Sequence, residues 1–140
     1  MAMTTHVEIV SAEERVFAGR AEMIFAPAIM GEVGISPRHA PLLTTLKAGE
    51  VRVQTPEGEE KDFFISGGIL EIQPHIVTIL SDTAIRAADL DEAKALQAKE
   101  RAEKLLSNKK SDIDYAKAQA ELLEAVAQLR AIQNFRKPRR

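Results

Sequence analysis

Between residues 67 and 95 the chain changes its period. In GGILEIQPHIVTILSDTAIRAADLDEAKA the apolar residues first alternate with polar ones and then recur every three or four positions. A period of 2 belongs to strands with one buried face and a period of 3.6 to helices with one apolar stripe, so a single element cannot span the change. The chain is therefore predicted to be α+β with segregated parts: an N-terminal antiparallel β-sandwich over residues 1–86, then a C-terminal antiparallel two-helix hairpin over residues 87–140. With 140 residues, 45% of them hydrophobic, there is material for a modest core and an appendage.

In the body, residues 6–10 and 21–26 read as strands, with a short strand near Val16 and Phe17 and a turn at Gly19. Residues 27–41 hold two glycines and three prolines, which predicts a structured loop rather than a regular element. Residues 42–46 resume an apolar run, and residues 50–54 alternate so that Val51 and Val53 point inward. A hairpin tip is expected at residues 56–59, followed by a strand that gives Phe63 or Phe64, with Ile65, to the core. Gly67 and Gly68 turn the chain into residues 69–72, and Pro74 breaks it before residues 76–80. Short strands at this spacing predict an antiparallel sandwich or barrel.

In the arm, Asp89 followed by Glu92 resembles a capping box and predicts that the first helix starts there. Ala95, Ala98, Ala102 and Leu105 form its apolar stripe. Ser111 with Asp114 repeats the capping pattern, and Ala118, Leu122, Ala125, Leu129 and Ile132 form a second stripe before Pro138. Burying an alanine methyl contributes about 0.8 kcal/mol against roughly 1.5–3 for a leucine, so this seam allows close approach but holds weakly. Straightened into one rod from Asp89 to Gln133, the arm would span roughly 65 Å.

The net charge of −2 hides an asymmetry: residues 1–86 carry seven Lys/Arg against twelve Asp/Glu, and residues 87–140 carry twelve against nine. The arm is the basic half, with Arg136, Lys137, Arg139 and Arg140 at its end, which suits an acidic partner surface. Nucleic acid fits poorly, because the body is acidic and only six aromatic residues are present. The absence of cysteine excludes disulfides, thiolate metal sites and a cysteine nucleophile. His6, His39 and His75 are too scattered to share a metal, and no phosphate loop, nucleophile elbow or dinucleotide fingerprint occurs. No run reaches the ~20 apolar residues of a membrane span, so direct membrane insertion is not expected.

Three segments carry a resemblance: GEVGISPRHAPLLTTLKAGEVRV, SGGILEIQPHIVTILSDTAIRAADLDEAKA and DYAKAQAELLEAVAQLRAI. In this order, over nearly the whole chain, they resemble the epsilon subunit of bacterial F-type ATP synthase. The resemblance implies a β-sandwich and a helical hairpin, and a non-catalytic rotor subunit of the central stalk. It also implies a peripheral place on the cytoplasmic face of the inner membrane, reached through the complex. By the same resemblance the segment from Gly31 to Pro41 meets the c-ring, which makes Glu32 and His39 contact candidates, and the sandwich binds the gamma subunit. The arm would be an inhibitory switch, folded against the body or extended along gamma into the alpha/beta head, with Arg130, Arg136, Lys137, Arg139 and Arg140 as its cations. No cofactor is implied for every member. Some bind ATP at the folded hairpin through a motif that here falls on Leu90, Asp91, Lys94 and Ala95, but Lys94 stands where that motif has arginine and lacks its planar fork. The alternative from another class is a free-standing binding module with a basic arm for nucleic acid.

Overall fold

A computed structural model describes residues 3–107 and 112–136. Lys137, Arg139 and Arg140, and the second capping pattern at Ser111 and Asp114, lie outside the described residues or side chains. The body has ten strands: β1 (Thr5–Val10), β2 (Arg15–Ala21), β3 (Met23–Ala28), β4 (Gly31–Ile35), β5 (Leu42–Leu46), β6 (Gly49–Gln54), β7 (Glu60–Ile65), β8 (Gly68–Ile72), β9 (Ile76–Leu80) and β10 (Ala84–Arg86). A single 3-10 turn, Ala87–Asp89, leads to α1 (Glu92–Ser107) and α2 (Asp112–Arg136).

The strands form one hydrogen-bonded path, β10-β7-β6-β3-β5-β8-β9-β1-β2, with β4 added to β3. The hinge is narrow, since β3 reaches β5 through the single register pair Ala28↔Leu46. One half is therefore β10-β7-β6-β3-β4 and the other β5-β8-β9-β1-β2, folded face to face. At the ends of the path, the Arg86 guanidinium donates to the Val16 carbonyl at 2.9 Å and ties β10 to β2. Pairing is antiparallel except between β1 and β9, which lie parallel because they are joined through the rest of the body rather than by a hairpin. Alternation places Val7, Ile9, Ile24, Val51, Val53, Phe63, Ile65, Leu70, Ile72 and Ile79 in one core, all drawn from the body.

Three local expectations are corrected. Gly19 lies inside β2 rather than at a turn. A Cβ there would come within 3.1 Å of the Phe17 ring, so the glycine clears space on the inner face for a core aromatic. Residues 27–41 do not form one loop: β3 runs through Pro27, turns at Ile29 and Met30, and returns as β4. Pro27 is tolerated because it sits where β3 passes from β6, paired at residues 23–25, to β5, paired at Ala28, so the ladder on that side loses no N–H. The helix begins two residues later than the Asp89 expectation. The Leu90 N–H bonds the Ala87 carbonyl at 3.3 Å and Leu90 is extended, so Asp91 becomes the cap, its Oδ1 accepting the Lys94 N–H at 3.2 Å.

The two helices pack on each other and α2 packs on β6, β7 and the 3-10 turn. They run antiparallel, since Arg136 in the last turn of α2 meets Glu92 in the first turn of α1 at 2.7 Å. Ala95 and Ala102 of α1, with Ala118, Ala125 and Ile132 of α2, are buried at seven-residue spacings. Leu105 is half exposed. The α1 stripe continues from Ala102 to the half-buried Leu106 at i+4, not to Leu105 at i+3.

Candidate functional site

Two surfaces of the body stand out, one covered by the arm and one bare. The covered surface is the outer face of β6 and β7. Strand alternation turns Phe63 into the core, where its ring lies 5.4 Å from Phe17, and turns Phe64 outward. Phe64 is nevertheless fully buried and stands beside Glu50 in the β6–β7 register. The Glu50 carboxylate accepts a 3.1 Å hydrogen bond from the Asn134 side chain of α2, which places the last turns of α2 over this patch. Ala131 and Ile132 of the same turns are buried. Sequence reading left open which phenylalanine served the core; both are buried, and the second serves the arm.

Beside this seat lies a polar cleft of about 360 Å³ lined by Glu32, Glu50, Arg52, Glu60 and Asn134. Arg52 is its hub: its guanidinium lies 3.1 Å from Glu32, 3.7 Å from Glu60 and 4.4 Å above the Phe25 ring. Three carboxylates around one cation leave the cleft acidic, and Arg130 of α2 lines the adjoining hollow with Glu32 and Glu50. That hollow is mixed in charge, since Lys47 of the body lines it as well.

The predicted contact residues Glu32 and His39 do not come together. Glu32 is exposed near the hairpin end of β4 and paired with Arg52, whereas His39 lies beyond Ile35, past the other end of that strand. His39 is half-buried and tied within its own turn: its N–H bonds the Ser36 carbonyl at 3.2 Å, and Nδ1 donates to the Ala40 carbonyl at 2.7 Å. Of the other predicted set, Leu90 is half-buried, Asp91 caps α1, Lys94 is exposed and Ala95 is buried in the helix seam. The Asp91 carboxylate is therefore engaged by the backbone, the helix-capping role its position favours. Among the arm cations, Arg130 lines the hollow beside the acidic cleft and Arg136 pairs with Glu92.

The bare surface is the outer face of β5, β8, β9 and β1. Thr45, Ile69, Leu80 and Val10 follow one another across the register, with Leu43 on the next row. Leu43 is 69% exposed, and Ile69 and Leu80 are about half exposed. A shallow groove of about 550 Å³ borders this face, lined in part by Val10, Gly68, Ile69 and Leu80. A second exposed apolar point is the β3–β4 tip, where Met30 is 91% exposed beside Ile29. Sequence reading named none of these. Their signal was the doublets Leu42-Leu43, Ile69-Leu70 and Ile79-Leu80, where a strand with one solvated face would place a polar residue at one position. No helix among the described residues is long and apolar enough to cross a membrane.

Comparison with known proteins accounts for body and arm together. Residues 4–87 match the family model described as ATP synthase, Delta/Epsilon chain, beta-sandwich domain. Residues 88–133 match ATP synthase, Delta/Epsilon chain, long alpha-helix domain. The chain is 65% identical over 137 residues to the ATP synthase epsilon chain of Nitrosococcus oceani, covering 98% of each. It is 61% identical over 138 residues to that of Thioalkalivibrio sulfidiphilus, again covering 98% of each. Among solved structures, a chain of the Euglena gracilis mitochondrial ATP synthase, OSCP/F1/c-ring in rotational state 1, superposes with a TM-score of 0.82 at 19% identity, over 92% of this chain and 81% of that one. A chain of the Tetrahymena thermophila mitochondrial ATP synthase central stalk and c-ring gives 0.55 at 14% identity, over 96% and 98%. At these identities the two structures speak to fold alone. The free-standing nucleic-acid module has no support, because one family accounts for the sandwich and the basic arm alike. Sandwich, hairpin and near full-length identity agree: the chain belongs to the delta/epsilon chain family of ATP synthase, and within it to the epsilon chains.

Proposed function

We propose that this chain couples the c-ring to the gamma subunit in a proton-translocating F-type ATP synthase and that its arm, when it leaves the body and extends along gamma into the alpha/beta head, opposes ATP hydrolysis. Membership of the epsilon chains makes it a non-catalytic subunit of the central stalk. The observation that carries the division of labour is the contrast between the two body faces: the arm covers β6 and β7, while the outer face of β5, β8 and β9 leaves Leu43, Ile69 and Leu80 exposed among Thr45, Glu71 and Thr78. Large apolar residues exposed together in this way mark an interaction surface, and it suits gamma, which must stay attached whether the arm is folded or extended. The β3–β4 tip and Glu32 offer the c-ring an apolar point beside an acid. Residues 1–86 form the coupling body and residues 87–140 the regulatory arm, held at the cytoplasmic face of the bacterial inner membrane through the complex.

The test compares ATP hydrolysis by an alpha/beta/gamma head after addition of the full chain or of a chain ending at Ala88, with gamma binding measured in parallel. Higher hydrolysis with the shorter chain at equal gamma binding is expected. Equal hydrolysis would remove the inhibitory role, and loss of gamma binding by both chains would remove the coupling role.

A further inference from the structure

The alanine seam joins α1 to α2, but it does not join the arm to the body. That attachment runs through α2, and its specific contacts converge on the last two turns. Phe64 on β7 is fully buried outside the sandwich core, on the face that α2 covers. Ala131 and Ile132 are buried one turn before Asn134, which donates to Glu50 at 3.1 Å. Two residues further on, Arg136 reaches the first turn of α1 and meets Glu92 at 2.7 Å. Glu92 at a helix N-terminus and Arg136 at a helix C-terminus each complement the dipole of their own helix, so their pairing asks neither helix for an unfavourable charge.

We propose that residues 131–136 form a clasp that sets how much of the arm is folded: Phe64 is the apolar seat, Asn134 on Glu50 fastens α2 to the body, and Arg136 on Glu92 closes the open end of the hairpin over it. This rests on the reading that the arm can leave the body. Polar fastening suits a reversible device. In the docked arm one Glu50 oxygen, Oε2, accepts from Asn134 while the other, Oε1, is buried without a partner, so docking costs part of the carboxylate's hydration and release restores it. The Arg136–Glu92 pair is ionic and exposed, so this part of the clasp weakens with salt, whereas the neutral Asn134 amide on Glu50 does not depend on it.

The chain has no cysteine, so spin labels at Glu57→Cys on the β6–β7 tip and Gln119→Cys on α2 report the body-to-arm distance in the intact chain. The folded-to-released ratio is read across a series of salt and mild urea. Asn134→Ala with Arg136→Ala is expected to lower that ratio about tenfold or more, mostly through the bond to the charged Glu50, with the exposed Arg136 pair adding about twofold. Gln133→Ala, an exposed residue of the same turn, is expected to leave it unchanged. An unchanged ratio in the double variant, or an equal fall with Gln133→Ala, would overturn the clasp. Hydrolysis assays with the same variants separate this from the functional reading. Release without relief or increase of inhibition would overturn the inhibitory arm and leave the clasp standing. Unchanged distances, with higher hydrolysis on truncation at Ala88, would overturn the clasp and leave the inhibitory arm standing.

Discussion

Phe63 and Phe64 are neighbours with the same side chain and the same complete burial, yet they should behave as residues of two different proteins. Phe63 faces Phe17 within the sandwich core, which contains no residue of the arm. Phe63→Ala should cost about 3–5 kcal/mol whether or not the arm is present. Phe64 faces outward from β7, between Glu50 and Ile85 in the register, where α2 covers it. In the full chain Phe64→Ala should lose the roughly 1.5–3 kcal/mol gained by keeping a large apolar side chain from water. In a chain ending at Ala88 the ring lies on an open sheet face, and the same change should cost under about 1 kcal/mol, the span of strand preference alone. Urea unfolding of both alanine variants in both chain lengths gives four values. The cost of Phe64→Ala should fall by about 1–2 kcal/mol on truncation while that of Phe63→Ala stays constant. Equal costs for Phe64→Ala in the long and short chains would show that the arm does not bury it, and the seat of the arm would have to lie elsewhere.

Gly68 has φ +143° and a Cβ built there would lie 1.9 Å from the Leu80 carbonyl oxygen, so Gly68→Ala must part β8 from β9; a loss of about 3 kcal/mol or more is expected in the urea midpoint, and a change within about 0.5 would refute it. Asp91→Ala removes the cap of α1 and should cost about 1 kcal/mol of arm stability, read as faster amide exchange in the first turn, whereas Asp89→Ala should leave that turn unchanged. Arg52→Met removes the cation shared by Glu32 and Glu60 and should cost roughly 1 kcal/mol at low salt and less at high salt; a loss independent of salt would assign the effect to packing on Phe25 instead.

The change of period near residue 86 was legible in the sequence because it follows from local geometry. Side chains alternate along a strand and recur every 3.6 residues on a helix in any protein, so body, arm and most inward positions could be read from spacing. Asp91 shows where local reading stops. Asp89 has the same capping chemistry and an acid three residues on, and only the 3-10 turn closed by Leu90 on Ala87 decides between them. Pro27 lies in a strand because β3 changes partners there, and Gly19 is required by the Phe17 ring rather than by a turn; both are facts about neighbours, which spacing does not contain. By itself the sequence determined the passage from strands to helices and most of the inward positions, but not β4 or the place of Gly19 inside β2. Tertiary structure alone decided that Phe64 is covered while Leu43 and Ile69 are not, that Glu32 shares Arg52 with the cleft beneath the arm while His39 is tied in its own loop, and that Asn134 meets Glu50 across 84 positions. Burial on the outer face of a sheet depends on what packs against it, and that partner is set by the path of the whole chain.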